Sequence, residues 1–217
     1  EAFGDKVKYW ISINEPLMVM FSKDFNGIRD HEGKAYERAN YQIMYHMALA
    51  EKLAFKWCHE LVSDGMIGPA SAFQNIYPAS AAPADVEAAM EAEEILSFTL
   101  LDLSVRGSIP ARIAHTLKKQ ALYPETREED VQLLQSESAD WICFNYYASL
   151  CAEAYSGKDD SNMPQFFRSQ QYRIVPNPVG AKSEWMIFGT DPTGLRLSIY
   201  KLWRRYNLPL LITENAY

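Results

Sequence analysis

The sequence predicts a parallel α/β fold and, within that class, half of a (β/α)8 barrel. Three observations carry this. Apolar strand-like runs alternate with segments of helical periodicity in the order strand, helix, strand, helix, strand, helix, strand. No Gly-x-Gly-x-x-Gly follows a strand, so a dinucleotide-binding fold lacks its fingerprint. Eight barrel strands take about 200 residues or more, whereas only four strands, with long loops at their ends, are legible in these 217 residues.

Each element has a local reason. Val7 to Ile13 is β-branched and aromatic and stops at Pro16, as a buried strand would. From Tyr36 to Val62, Met44, Ala48, Leu53, Trp57 and Leu61 recur at helical spacing, and Gly65 closes that helix. Met66 to Tyr77 has little alternation, which suits one strand covered on both faces. Pro78 and Pro83 bracket a turn, Asp85 is expected to cap a helix starting near Val86, and Gly107 and Pro110 break the pattern. Helical segments are expected at Ile113 to Leu117 and Glu128 to Gln135, and a third strand over Asp140 to Tyr147. Residues 156–181 are rich in Ser, Asp, Asn, Gln and Pro and form a long loop that covers a site or moves. Asp191-Pro192 opens the last helix, Asn207 and Pro209 end it, and Leu210 to Thr213 is the last strand. Trp10, Trp57, Trp141 and Trp203 read as core packing.

Composition narrows the class. A net charge of −7 argues against a nucleic-acid surface. No apolar run reaches the roughly 20 residues of a membrane span, and the N-terminus has no h-region of a signal peptide. It lacks an initiator Met and reads like the middle of a longer chain. Cys58, Cys143 and Cys151 form no disulfide framework, which favours a reducing compartment. The four histidines lack the four-residue spacing of a two-ligand metal face, so no metal is expected.

Two carboxylates stand at the ends of apolar strands: Glu15 in Trp10-Ile11-Ser12-Ile13-Asn14-Glu15-Pro16, and Glu214 in Leu210-Leu211-Ile212-Thr213-Glu214-Asn215. A parallel barrel gathers such strand ends at one face, and glycosidic cleavage needs two carboxyl groups facing each other across a sugar. Alone, Glu15 would read as a surface carboxylate pairing with Lys or Arg, Asn14 as a turn residue, and the two tyrosines of Asn145-Tyr146-Tyr147 as core aromatics.

Together, Asn14-Glu15-Pro16, Ile212-Thr213-Glu214-Asn215, Asn145-Tyr146-Tyr147 and Asp191-Pro192-Thr193-Gly194-Leu195 resemble glycoside hydrolase family 1, the β-glucosidase family, in order and spacing. The resemblance implies the fourth to seventh strands of the barrel, hence residues 1–217 as a single partial domain truncated at both ends. It implies Glu15 as acid and then base, and Glu214 as nucleophile. Asn14 would bind the sugar 2-hydroxyl, with Asn145 and Tyr147 around the nucleophile and Tyr146 pointing away. Tyr77-Pro78-Ala79-Ser80, Val105-Arg106-Gly107 and Lys182-Ser183-Glu184-Trp185 are similar to bacterial 6-phospho-β-glucosidases. Ala216 stands where the family has Gly. The resemblance thus implies hydrolysis of a small-molecule β-glycoside, with a 6-phospho-β-glucoside the first choice, in the cytoplasm and without a cofactor. The alternatives are an unphosphorylated β-glucosidase or β-galactosidase, or an inactive truncated chain acting at most as a sugar-binding remnant.

Overall fold

The computed structural model describes residues 3–20, 23–155, 171–181 and 189–215. Strand β1 (Tyr9–Asn14) leads through a 3-10 turn (Pro16–Met20) and a short helix α1 (Lys23–Asn26) to the long helix α2 (Gly33–Leu61). Strands β2 (Met66–Ala72) and β3 (Asn75–Pro78) precede α3 (Pro83–Glu93), a π-helical turn (Glu94–Phe98) and α4 (Thr99–Arg106). Helices α5 (Ala111–Lys119) and α6 (Glu128–Ser136) lead to β4 (Ile142–Asn145), β5 (Ser149–Ala154) and β6 (Tyr172–Val175). The last elements are α7 (Pro192–Tyr206) and β7 (Leu210–Glu214).

The main sheet is the expected parallel one, four strands in the order β1-β2-β4-β7. The crossovers from β1 to β2 and from β4 to β7 carry α2 and α7, and α3 to α6 lie between β2 and β4. Parallel partners share a face, so the register divides the strand residues cleanly. Ile67, Phe73, Ile142, Phe144 and Leu210 point outward, into two apolar clusters with Phe55 and Cys58 of α2, Phe98, Leu101 and Leu202. The inner face carries Gly68, Ala70 and Ala72 from β2 and Cys143 and Asn145 from β4.

These small residues on β2 leave room for side chains from the flanking strands. Gly68 has no substitute: a Cβ there would lie 2.2 Å from the Trp141 carbonyl oxygen and 2.3 Å from its ring. Trp141 stacks on Tyr9 at 5.4 Å between ring centroids.

The sheet is strongly curled. Three gaps of about 4.8 Å would hold the outer strands of a flat sheet roughly 14 Å apart. Yet the Asn14 side chain at the end of β1 reaches Glu214 at the end of β7, 3.2 Å between heavy atoms. Edges that converge in this way describe an arc of a barrel wall.

Several expectations are corrected. The run from Met66 to Tyr77 is two strands in different sheets, because β3 leaves the main sheet to join β5 and β6 in a three-stranded one. Part of the expected loop over 156–181 is β6, antiparallel to β5; residues 156–170 lie outside the described residues. Asp85 is no N-cap: α3 starts at Pro83 after Ala82, and the Asp85 carboxylate accepts instead from Ser80 and from the backbone N–H of Ala154. Trp57 and Trp203 stand on outward helix faces, 53% and 51% exposed, rather than in the core. Lys182-Ser183-Glu184-Trp185 and Ala216 lie outside the described residues.

Candidate active site

Adjacent residues of a regular strand face opposite ways, so a strand delivers one side chain per pair to a site. Both outer strands break that rule at their C-terminal ends. In β1 the register slips between Ile11 and Asn14, three residues advancing against two of β2, so Asn14 returns to the inner face that Ile11 occupies. Glu15 follows with φ of 46°, in the left-handed region that a non-glycine residue enters at a cost of about 1–3 kcal/mol. That turn brings Glu15 inward beside Asn14, pinned by its N–H to the Ala70 carbonyl at 2.8 Å. In β7 the register slips between Ile212 and Glu214, which faces Asn145 across the ladder. Such bulges re-aim side chains and recur beside active sites.

The five residues singled out from the sequence meet in one hydrogen-bonded group. Asn145, buried at the end of β4, donates from Nδ2 to Glu15 Oε1 at 2.8 Å and to Asn14 Oδ1 at 3.1 Å. Asn14 donates in turn to Glu214 Oε1 at 3.2 Å, and the Tyr147 hydroxyl donates to Glu214 Oε2. Thus each carboxylate receives donors, and the two are linked through two amides. Tyr147 is pushed up to about 12, first by its hydrogen bond to Glu214, then by burial and by the charges of Glu214 and Glu15. It is a neutral donor throughout the physiological range.

Asn145 differs from expectation in one respect. Its backbone pairs with Glu214, but its side chain serves Glu15 and Asn14. Thr213, which the sequence reading did not single out, donates to Asn145 Oδ1 at 2.6 Å. No sequence signal marks it, because its inward turn comes from the bulge.

Tyr146 points to the other face. Its hydroxyl donates to the Asp191 carbonyl at 2.9 Å and lies 2.9 Å from Ser149 Oγ. The Asp191 carboxylate accepts from Ser149 and Tyr77; burial would raise it, but the hydroxyls of Ser149 and Tyr77 and the N–H groups of Gly194 and Thr193 hold it below the usual range. This network ties α7 to β3 and to the start of β5, and so fixes the chain that carries Tyr147 inward. Among the described residues no group of three or more His, Cys, Asp or Glu could hold a metal ion. No described helix is long and apolar enough to cross a membrane.

Two carboxylates, two amides and a phenol at the mouth of a curled parallel sheet can hold a polyol and do proton and nucleophilic chemistry on it. A family model described as Glycosyl hydrolase family 1 matches residues 1–217. The chain is 33% identical over 218 residues to the 6-phospho-beta-glucosidase AscB of Escherichia coli (strain K12), a match over 100% of this chain and 44% of that protein. It is 34% identical over 218 residues to the aryl-phospho-beta-D-glucosidase BglH of Bacillus subtilis (strain 168), over 99% and 44%. The chain therefore spans less than half the length of these curated relatives. Among solved structures, a Thermotoga maritima family 1 glycoside hydrolase complexed with a cyclophellitol analogue superposes with a TM-score of 0.80 at 25% identity, covering 99% of this chain and 45% of that one.

Proposed function

The chain belongs to glycosyl hydrolase family 1, and from that premise we propose that the whole protein is a retaining β-glycosidase whose first-choice substrate is a 6-phospho-β-glucoside. The observation that carries the reading is the side-chain link between Glu15 and Glu214, which stand on the two outer strands of the arc. In the first step Glu214 attacks the anomeric carbon, the glycosidic C–O bond breaks, and Glu15 gives its proton to the leaving oxygen. In the second, Glu15 takes a proton from water, whose oxygen displaces Glu214 from the anomeric carbon. Asn14 holds the sugar 2-hydroxyl in this reading, which its amide's contact with Glu214 supports. Tyr147 donates to the Glu214 carboxylate and orients it. No step needs a cofactor.

The phosphorylated substrate rests on the phospho-β-glucosidase relatives, and such a sugar implies a cytoplasmic enzyme. An unphosphorylated β-glucoside or β-galactoside is the second reading; the β-glucoside is supported by the likeness to a family 1 β-glucosidase from Thermotoga maritima. The test is hydrolysis of p-nitrophenyl β-D-glucoside, its galactose epimer and the 6-phosphate by the whole protein. Glu214→Ala should abolish turnover of each. Glu15→Ala should lose about 10²–10⁴-fold with a poor leaving group and far less at the first step with a good one. Wild-type rates from Glu214→Ala, or equal losses from Glu15→Ala with every leaving group, would overturn the assignment.

A further inference from the structure

We propose that Thr213 is a positioning residue for the acid/base carboxylate, acting through Asn145; the inference rests on the reading of Glu15 and Glu214 given above. Regular strand geometry would send Thr213 and Glu214 to opposite faces. The bulge in β7 lets both reach Asn145's side of the sheet, and the Thr213 hydroxyl meets Asn145 Oδ1 at 2.6 Å. Both ends of the Asn145 amide are then engaged: Oδ1 accepts from Thr213, and the two Nδ2 hydrogens go to Glu15 and Asn14. Asn145 is 1% exposed, so water has little access to replace a lost partner.

The chemistry of the cycle says why this matters. An ionised Glu15 selects the NH2 end of the amide, but a protonated Glu15 can equally donate to its oxygen. Glu15 passes through both states. Asn14 is itself oriented by the Glu214 carboxylate, which becomes an ester in the intermediate. Of the three partners of Asn145, Glu15 changes its protonation and Asn14 is anchored to a group that changes, whereas Thr213 does neither. Donating to Oδ1, its hydroxyl favours the amide orientation in which an N–H faces Glu15 when Glu15 must be an anion and act as base.

Without that hydroxyl, Asn145 turns its oxygen to the protonated Glu15. The anion then loses a donor and forms less readily. The experiment compares Thr213→Val and Thr213→Ser in the whole protein by two readouts: the 13C NMR titration of the Glu15 carboxyl carbon, and the pH dependence of kcat/KM on methyl β-glucoside 6-phosphate, whose poor leaving group needs the acid. Thr213→Val is expected to move both the NMR midpoint and the alkaline limb upward by about 0.5–1 pH unit. It should also slow release of the glycosyl-enzyme roughly tenfold, and Thr213→Ser should restore all three. Thr213→Ala, which also lacks the donor, replaces the valine variant if Val crowds the bulge. An unmoved NMR midpoint in the donor-less variant, or a serine variant that behaves like it, overturns the role of Thr213. The NMR titration needs no turnover, so a protein inert on every β-glycoside would refute the hydrolase reading while the fate of Thr213 stayed readable.

Discussion

At the residue scale the site depends on which way each short side chain turns, and that is decided by backbone irregularities. Tyr147 shows the consequence most directly. Its hydroxyl donates to Glu214 Oε2, and the raised phenol stays protonated, so it stabilises the carboxylate without competing for its charge. A hydrogen bond to a charged group contributes about 1.5–3 kcal/mol, so Tyr147→Phe should lower kcat/KM of the whole protein roughly 10- to 150-fold. The fold should be untouched, as judged by an unchanged urea midpoint; a loss under threefold would mean that the contact does not bear on the reaction. The pairing of Glu15 with Glu214 was legible from two short motifs. The partner of Asn145 was not, because strand alternation alone cannot reveal a slipped register.

At the scale of elements, the parallel order could be read because each long segment keeps one period. Helix α2 is the clear example. The second sheet could not, since β3 and β6 have four residues each and carry no period of their own. Nor did the pattern reveal what ties α2 to the wall. Glu51, buried on α2, accepts from Ser12 of β1 at 2.8 Å and from Ser104 of α4 at 2.5 Å. Burial raises its carboxyl to about 7 from 4.5, against the pull of the two hydroxyls and of Lys52. Between those values the folded state binds more protons than the unfolded one, so this group makes stability fall as pH rises from about 5 to about 7. Lys52, lowered to about 8, adds an opposite slope only above that window. Glu51→Gln should therefore flatten the urea midpoint between pH 5 and 7.5, removing a decline on the order of 2–3 kcal/mol; parallel slopes in wild type and variant would sink this account. Strand spacing offers a second test. Gly68→Ala drives a methyl into the Trp141 backbone, whereas a Cβ at Gly4 finds its first neighbour at an ordinary 3.5 Å. The first change should cost about 3 kcal/mol or more and the second under about 1 kcal/mol. Equal losses would mean that β2 and β4 can part without penalty.

At the scale of the whole molecule, an arc is an unfinished wall. Among the described residues β1 pairs only with β2, and β7 only with β4, so each presents an edge without a neighbour. On the inner face Tyr9, Ile11 and Leu211 are 58%, 41% and 42% exposed, where a closed barrel would pack side chains in layers. Ile212, on the outer face of β7, is 39% exposed. Full burial of such a side chain stabilises by about 1.5–3 kcal/mol, so half-burial forfeits on the order of 3–6 kcal/mol across the four. That is comparable to the whole net stability of a domain, about 5–15 kcal/mol. Open, apolar edges also template pairing with other chains. The 217-residue chain on its own should therefore self-associate at micromolar concentration and bind the dye ANS, with little turnover of p-nitrophenyl substrates. The whole protein should do neither where further chain covers both edges; in the relatives this segment is about 44% of the length. Introducing Lys at Ile11 and Leu211 together should cut the association of the short chain, since charge on edge strands opposes pairing. A monomeric, ANS-silent short chain would show instead that the arc closes on itself, and the two carboxylates would then need no other half to stay together.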